Sequence, residues 1–515
     1  MPILDTPLTA PMTGLAGRQD AYMRILSWEA TMTRRRNKSR LQRYQESWFF
    51  YIGENISPGE YIQPLEINYI QATCEAHASY LWGQWEPQDR LVSWTLKSRN
   101  TKGDQADTKV MLQWIESLFN GHEDLLFASG LNQSIFGDAI LRPRYDPLME
   151  MITPESVLPE YYHARWSAHD INDIKEVIIS YPIDRGDAED QFGTRGDSTY
   201  ATAVLGRAQK YAIYWELWTT ECHEIWIDNV RVFEEPNFLV DTAGNPGQIP
   251  FVHIPGVRAG GEYYGQSDVE PVLLLQDELN RKMADNGDII SYAAHPIIQV
   301  RNYFGKVEKL PVGPDAIWDM GRDGEAAYLS GGTPPVDIEK YVDRLLNIFQ
   351  DLSHMPAAAF GRSETAQASA LALAMEMMPV TQRVGWKRLQ WKQGLIAYVH
   401  MAARIAEHYD ILPFARKDLL RYSIIPSFAG ILPKDRSAAV QDNVSLVSAG
   451  LRTIQRALED LGELDAATEA GKIIEELLMK VREGIMKNQS LNGKNGDVST
   501  GGSADGGAAA RDRGK

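Results

Sequence analysis

The sequence predicts an α+β fold that is mainly α-helical, and three patterns along the chain support this prediction. Apolar residues recur at helical spacing in the N-terminal segment that ends near Trp94, and again in the C-terminal third. Between residues 138 and 255 the period changes to two, which is typical of short strands. Two amphipathic helices, predicted at Asp268–Tyr292 and Val336–His354, enclose a short stretch of strands and turns. A chain of 515 residues built this way is expected to hold several structural units.

The composition limits the classes of protein to consider. Cys74 and Cys222 are the two cysteines, and they lie far apart without the spacing of a disulfide scaffold or a zinc site. We therefore expect no metal and no cofactor, and synthesis in a reducing cytoplasm. The first residues lack a basic signal-peptide region, and no apolar run approaches the length of a membrane span.

The net charge is −17, from 52 basic and 69 acidic residues. A tight nucleic-acid binder normally has a basic surface, because each phosphate contact releases counterions and adds affinity. The acidic balance therefore argues against tight DNA binding, although it suits a conduit through which DNA slides. Solubility is the simpler explanation, and composition alone favours it.

Helical patterns dominate the first segment. Basic residues at 34–40 could contact phosphates, but a solvated face or a contact with an acidic neighbour is the simpler interpretation. Residues 67–83 predict a buried helix that ends at Gly83. Further helices are expected at Asp107–Phe119 and Glu123–Gly137.

Alternating patterns predict a β-rich region next. The expected strands are Ala139–Arg142, Lys175–Tyr181, Lys210–Trp218, Glu221–Ile227 and Val230–Phe233, with a turn at Asp228–Asn229. Residues 184–200 contain two Arg-Gly-Asp tripeptides, for which a mobile polar loop is a better explanation than integrin recognition. Ile249–Pro255 predicts an edge strand limited by its prolines.

The two amphipathic helices and their surroundings follow. Ser267 or Asp268 is expected to cap the first helix. Strands are predicted in the insertion at Ile297–Val300 and Ala316–Trp318. After Pro356 come small residues, and then a long helix over 369–409 that Pro379 should kink.

The C-terminal part is predicted to be helical with a polar end. Three amphipathic helices are expected at Asp435–Ala449, Thr453–Leu461 and Thr468–Ile485. The last stretch, Asn488–Lys515, is rich in Gly, Ser and Asp and should be disordered.

Catalytic motifs are missing from the sequence, so we expect no catalytic residues and no enzyme activity. The Gly-Lys pairs lack the frame of a phosphate-binding loop, which a DNA-translocating motor needs. His122-Glu123 and His223-Glu224 lack the second histidine of a zinc hydrolase, and Gly265-Gln266-Ser267 lacks the closing glycine of a nucleophile elbow.

Three stretches share their order with one protein family. They are Tyr264–Asp268 followed by Leu273–Asp288, then Gly361–Ser363 continuing through Ala370–Met377 to Lys387–Trp391, and finally Pro426–Asp435 with the helices behind it. A β-rich segment ending at Gly247–Phe251 precedes them. In this order they resemble phage portal proteins of the long-tailed type, over roughly residues 44–485.

The resemblance implies a portal-like subunit with a wing, a helical stem, a small α/β clip and a helical crown, assembled as a ring. The implied boundaries are 1–264 and 369–430 for the wing, 265–295 and 336–356 for the two stem helices, 296–335 for the clip, 357–368 for the tunnel loop, 431–487 for the crown and 488–515 for a disordered tail.

The resemblance also implies partners and a location. The partners are other copies of the chain in a dodecamer, double-stranded DNA that passes non-specifically, the terminase large subunit, the major capsid and scaffolding proteins, and a head-completion or adaptor protein, with no membrane. The location is a capsid vertex of the virion, after synthesis in the host cytoplasm.

Candidate channel residues follow from the same resemblance. In the tunnel loop they are Ala357, Ala358, Ala359, Phe360, Gly361, Arg362 and Ser363, with Phe360 and Arg362 the most able to touch the duplex. Without the resemblance a simple linker between helices would be preferred. On the stem they are Lys282, Lys340, Arg344 and Asn347, and for Lys340 and Arg344 an ion pair between subunits is an equal alternative. Two other classes stay open, another head-tail connector or tail protein and an enzyme of unrecognised class.

Overall fold

The structure is a computed structural model that describes residues 19–32, 38–54, 67–83, 91–99, 105–192, 210–228, 230–240, 247–294, 297–302, 322–329, 336–362, 370–431, 436–461 and 466–494. The chain divides into two compact units, Met1–Leu432 and Pro433–Lys515.

The first unit is a mixture of helices and strands. Its helices are α1 (Gln19–Met32), α2 (Arg40–Ile52), α3 (Tyr69–Trp82), α4 (Gln105–Ser117), α5 (Glu123–Phe136), α6 (Arg185–Phe192), α7 (Leu273–Ala294), α8 (Val336–Ser353), α9 (Ala370–Glu376), α10 (Met378–His408) and α11 (Arg416–Leu419). Its strands are β1 (Val92–Ser98), β2 (Asp138–Asp146), β3 (Met151–Val157), β4 (Tyr162–Trp166), β5 (Ile174–Asp184), β6 (Tyr211–Thr219), β7 (Cys222–Ile227), β8 (Val230–Pro236), β9 (Val252–Pro255), β10 (Ile297–Arg301), β11 (Glu325–Leu329) and β12 (Tyr422–Phe428).

The strands form four antiparallel sheets. The largest has the order β4-β5-β6-β7-β8, so the predicted meander is confirmed. A three-stranded sheet has the order β3-β2-β9, which makes β9 the predicted edge strand. The remaining sheets are the pairs β1-β12 and β10-β11.

The main core lies around α10, which packs on β2, β9, β12 and α3. Trp391 and Tyr398 are fully buried on its inner face, and the ring centroid of Trp391 lies 4.8 Å from that of Trp82. Gly394 allows the helix to lie close to β9, because a Cβ atom there would come within 2.5 Å of Ile254. Apolar burial on this scale makes α10 the helix around which the first unit is organised.

The β1-β12 pair corrects two sequence predictions. The N-terminal segment was expected to stay helical to Trp94, and no strand was predicted in the wing stretch 369–430, where the expected helix ran from 369 to 409. Instead Val92 pairs with Phe428 and Ser98 with Tyr422. The strand was missed because Pro426 suggested a break, whereas here it lies on a two-stranded ladder, where each strand has a free edge.

The predicted polar loop at 184–200 is wrong for its first part. Residues 185–192 form α6, and Arg185 of the first Arg-Gly-Asp tripeptide is buried beside Asp228, at 3.1 Å between Nη2 and Oδ2. The ion pair turns this arginine away from solvent. The second tripeptide, at 195–197, lies outside the described residues.

Arg40 confirms one of the two simple interpretations of the basic cluster, a contact with an acidic neighbour, and is not part of a solvated face. Its guanidinium is buried between α1 and β4, where it donates to the carboxylate of Glu29, to the Pro159 and Tyr162 carbonyls and to the His163 ring. Ser39 forms a capping box with Gln42 and thereby fixes the start of α2. Residues 33–37 of the cluster lie outside the described residues.

The long helix predicted over 369–409 is divided. α9 ends at Glu376 and α10 begins at Met378, so the helix is interrupted just before Pro379. Pro379 lies in the first turn of α10, where its missing N–H leaves no hydrogen bond unmade. The predicted kink is therefore confirmed, and it takes the form of a helix interruption at Met377, two residues before Pro379.

The second unit contains three described helices, α12 (Arg436–Ser448), α13 (Ile454–Asp460) and α14 (Ala466–Lys494), as predicted. Gly450 follows the end of α12 and has a left-handed backbone conformation, with φ of 69°. α14 continues to Lys494, past the predicted end at Ile485, so residues 488–494 are helical rather than disordered. Residues 495–515 lie outside the described part.

Candidate functional site

The site is built on the hairpin of α7 and α8. Both helices pack through an apolar seam in which Leu279, Val342 and Leu345 are buried. The Tyr341 hydroxyl donates to the Glu278 carboxylate at 3.4 Å, which adds one polar contact at the edge of the seam. The amphipathic pattern of the sequence therefore describes a real pair of antiparallel helices. Between them β10 pairs with β11, and the predicted strand at 316–318 lies outside the described residues.

The predicted stem residues are not equivalent. Lys340, Arg344 and Asn347 all lie on the exposed face of α8, opposite the apolar seam. Lys282 instead forms an ion pair with Asp285 of its own helix, at 3.0 Å, and this hydrogen bond raises its pKa. Three of the four candidates therefore share one face, and the fourth is held by a neighbouring carboxylate.

The predicted tunnel loop starts as a folded turn. Residues Ala357–Phe360 form a 3₁₀ helix, and Gly361 follows in the left-handed region with φ of 73°. His354 reverses the chain after α8, also with positive φ, at 56°. Such a φ is uncommon for a residue with a side chain, so this turn is defined by its surroundings. Ser363 lies outside the described residues.

This segment packs on α3 and α10. Ala358, Ala359 and Phe360 are half-buried against a cluster that includes Met355 and Val380. The Tyr80 hydroxyl of α3 donates to the Ala359 carbonyl at 3.1 Å. The first residues of the predicted loop are therefore fixed on the subunit.

Arg362 is the cation that the segment presents. Gly361 and Arg362 are exposed, unlike the four residues before them. The guanidinium carbon of Arg362 lies 5.9 Å from the Phe360 ring centroid and 6.0 Å from that of Tyr69. Contacts with two aromatic rings orient the side chain without removing its charge from solvent.

Asp268 anchors the hairpin to α10. It was expected to cap the first stem helix, but that helix begins as a 3₁₀ turn at Glu270–Val272 and Asp268 is buried before it. Its carboxylate accepts from Arg383 at 3.0 Å and pairs with the buried ammonium of Lys387. The Ser134 hydroxyl of α5 donates to it at 2.7 Å.

The charges around Asp268 keep it ionised. Burial alone would raise its pKa, but the Lys387 ammonium and the Arg383 guanidinium hold the pKa well below its usual range. An ionised carboxylate is therefore fixed between the start of α7, α5 and α10.

His77 connects the other end of the hairpin to α3. Its Nε2 donates to the Ser353 carbonyl, the last residue of α8, at 3.0 Å. Burial, together with the Lys387 and Arg383 charges, lowers its pKa to about 4, although Asp268 opposes this shift. The ring is therefore neutral at pH 7. Among the described residues its Nδ1 atom has no hydrogen-bond partner.

The Tyr264–Asp268 motif leads into α7 through a close backbone contact. A Cβ atom on Gly265 would overlap the carbonyl oxygen of Gly137, so only glycine fits. The Gly265 N–H donates to the buried Asp138 carboxylate at 2.8 Å, and that carboxylate also accepts from His253 at 2.6 Å. The motif thus fixes the point at which the chain enters the hairpin.

Sequence reasoning missed the partners of Asp268. Lys387 lies on the helix stripe that also carries Val380, Val384 and Trp391, all buried. A lysine at a core position of an amphipathic pattern indicates a buried ion pair, and this signal was available. Its carboxylate partner lies 119 residues away, and no local pattern identifies it.

Two further findings concern the described residues. None of their helices is both long and apolar enough to cross a membrane. No group of three or more His, Cys, Asp or Glu side chains in the described ranges is placed to hold a metal ion.

Residues 208–483 match the family model described as phage portal protein, SPP1 Gp6-like. The matched stretch contains the α7–α8 hairpin, the segment that follows it and the whole of α10. It covers more than half of the 515 residues, and the chain therefore belongs to this family of phage portal proteins. The family is structural, and its members are components of the phage particle. No curated protein matches the chain.

Proposed function

We propose that copies of this chain form a dodecameric ring at one capsid vertex, through which double-stranded DNA is packaged and ejected. The family match over both hairpin helices and α10 carries the proposal. In this assignment the hairpin is the stem, the β10-β11 insertion belongs to the clip, and α12 to α14 form the crown. The remaining described elements form the wing.

The channel assignment rests on the segment between α8 and α9. Residues 357–360 are fixed on α3 and α10, and Arg362 is exposed beyond them. In a ring each copy would present one such turn, and the exposed arginine would face DNA phosphates. Lys340, Arg344 and Asn347 would line the stem below it.

The charge balance suits transport of DNA rather than its retention. With a net charge of −17 per copy, a ring repels the phosphate backbone except at isolated cations. Few cations mean few released counterions and weak, sequence-independent contacts. DNA would therefore slide past the ring.

Partners follow from the same assignment. The clip is proposed to meet the terminase large subunit during packaging and a head-completion or adaptor protein afterwards, while the wing meets the major capsid and scaffolding proteins. No part of this assignment needs a cofactor, a metal ion or a catalytic residue.

Photocrosslinking tests the channel assignment. Replacing Arg362 by p-benzoylphenylalanine should give light-dependent crosslinks to DNA in filled particles and none in empty ones. The same replacement at Arg421, whose side chain is 67% exposed on the wing, is the matched control and should give none. Equal crosslinking at the two positions, or none at 362, would refute the assignment.

A further inference from the structure

The outer face of α10 carries exposed apolar side chains without any charge. Met378, Trp386 and Leu389 are 54%, 65% and 44% exposed. The other exposed positions of this helix between residues 378 and 397 are Pro379, Gln382, Gly385, Gln393 and Ala397. Exposed apolar residues in a continuous stripe mark a contact surface, whereas single ones are ordinary.

Two of the cations that flank this stripe are turned into their own subunit, while a third, Lys392, is half-buried. Arg383 donates to Asp268, and Arg388 donates to the Leu81 and Tyr80 carbonyls at 2.8 and 3.2 Å. By contrast, the exposed positions of α8 include Glu339, Lys340, Asp343, Arg344 and Asp351. The exposed face of α10 therefore differs from the charged exposed face of α8.

Gly385 is a second, independent observation on the same face. Glycine inside a helix is less favourable than alanine by about 1 kcal/mol. Nothing lies within 4 Å of the Cβ position at Gly385, so the subunit itself does not require glycine there. A notch beside the exposed Trp386 suits the close approach of another chain.

A similar stripe lies on α2. Its exposed positions from 42 to 52 are Gln42, Gln45, Trp48, Phe49 and Ile52, and the charge of the neighbouring Glu46, whose side chain is 39% exposed, is paired with Lys38 at 2.7 Å. Trp48 stacks on Phe136, with ring centroids 6.1 Å apart, so this stripe is fixed on α5. The chain thus has two unlike uncharged stripes, each centred on a tryptophan.

The net charge of the chain limits where two copies of it can meet. Two copies that each carry a charge of −17 repel each other, so they can approach closely only where neither surface adds like charges. A ring closed by rotation also needs two different faces on every copy. The α2 and α10 stripes meet both conditions.

We infer that the α10 stripe of one copy packs against the α2 stripe of the next copy. This inference rests on the proposed ring and names the surfaces that close it. Trp386 and the Gly385 notch form one side of the contact, and Phe49 with Ile52 forms the other.

Two variants test the inference, each with a control at the same position. Gly385→Leu fills the notch, and Gly385→Ala makes the helix equally or more favourable without the bulk. Phe49→Glu places a charge on the α2 stripe, and Phe49→Leu keeps it apolar. Circular dichroism shows whether each variant has the helix content of the wild type.

Mass photometry of the wild type, the single variants and their mixture gives the result. Gly385→Leu and Phe49→Glu, each measured alone, should contain at least tenfold less protein in rings than the wild type. Both controls should assemble into rings. An equimolar mixture should give dimers, because the intact α10 stripe of Phe49→Glu meets the intact α2 stripe of Gly385→Leu.

The outcomes separate this inference from the proposed function. If the wild type forms rings and either Gly385→Leu or Phe49→Glu folds and forms rings as well, the inference is overturned and the proposed ring stays intact. A mixture that stays monomeric while the controls assemble would overturn the pairing of the stripes. A wild type that never forms rings would overturn both. Loss of capsid-protein binding with normal rings would assign the stripe to that partner instead and contradict the inference.

Discussion

Asp268 and Lys387 form an ion pair in which each side chain is only 1% exposed. The pair joins the entry of α7 to the middle of α10, and Arg383 adds a second cation at 3.0 Å. Because both charges are out of water, the pair is stable only while both partners are present. The position of the hairpin on the first unit therefore depends on these side chains.

The first prediction concerns removal of one partner. Asp268→Asn should lower the free energy of unfolding of the first unit by about 3–5 kcal/mol, since Lys387 would stay buried without a counter-charge. Urea denaturation measures the change. Asp277→Asn, which removes an exposed carboxylate paired with Arg281 at 2.9 Å, is the control and should change it by less than about 1 kcal/mol. Equal effects of the two substitutions would contradict a structural role for the buried pair.

The second prediction is a pH dependence from His77. Its pKa of about 4 in the folded chain lies below the ordinary histidine value of 6.5, so the unfolded chain binds the proton first as the pH falls. Stability is complete above the unfolded pKa and is lost as the pH falls from about 7 towards 4, by about 2 kcal/mol between pH 7 and 5. His77→Gln keeps a hydrogen-bond donor for the Ser353 carbonyl, but the glutamine side chain does not titrate and therefore removes this pH dependence.

Urea denaturation at pH 7 and pH 5 checks this difference. The wild type should lose about 2 kcal/mol more than His77→Gln. Asp268 contributes little in this window. Its pKa is lowered on folding, so the stability that it provides is lost only as the pH falls below the ordinary aspartate pKa of 3.8. Identical pH dependence of the two proteins would show that His77 does not titrate as described.

The third prediction concerns the contact between Gly265 and Gly137. Gly265→Ala should destabilise the first unit by on the order of 3 kcal/mol, because the new methyl group overlaps a backbone carbonyl that cannot move easily. Gly260→Ala is the matched control, since nothing lies within 4 Å of its Cβ position. Thermal unfolding compares the two variants. A melting temperature of Gly265→Ala equal to that of the control would mean that the two segments separate readily.

The fourth prediction addresses the tunnel segment. Arg362→Gln removes an exposed charge, so stability should change by less than about 0.5 kcal/mol, while retention of packaged DNA should fall. Nuclease-protected DNA per particle measures retention, with Arg421→Gln on the wing as the control. A substitution is preferred to deletion of 357–362, because Ala358, Ala359 and Phe360 pack in the subunit. Normal retention by Arg362→Gln would remove this arginine from the channel.

Local patterns predicted the helices of this chain better than its long-range pairings. Val336–His354 matches the observed Val336–Ser353 because its apolar stripe repeats at helical spacing and its neighbours are turns. The β1-β12 pair was missed although Val92–Ser98 alternates apolar and polar residues, because its partner strand lies more than three hundred residues away. The burial of Arg40 and Arg185 was not predicted, because their carboxylate partners, Glu29 and Asp228, are not identifiable from sequence spacing.

The candidate site divides in the same way. The order of motifs located the hairpin and the segment after it, and the family match agrees with that order. The Asp268–Lys387 pair and the His77–Ser353 contact depend on side chains brought together from distant elements. Which side chains face a channel depends on the neighbouring copies, and one chain does not contain that information.

The most direct measurement of the central claim is electron microscopy of the purified full-length chain. We expect rotationally symmetric rings with a central opening wide enough for a DNA duplex, and with the α7–α8 hairpins side by side around it. A homogeneous population of monomers, or an assembly with α7 and α8 far from any symmetry axis, would contradict the account.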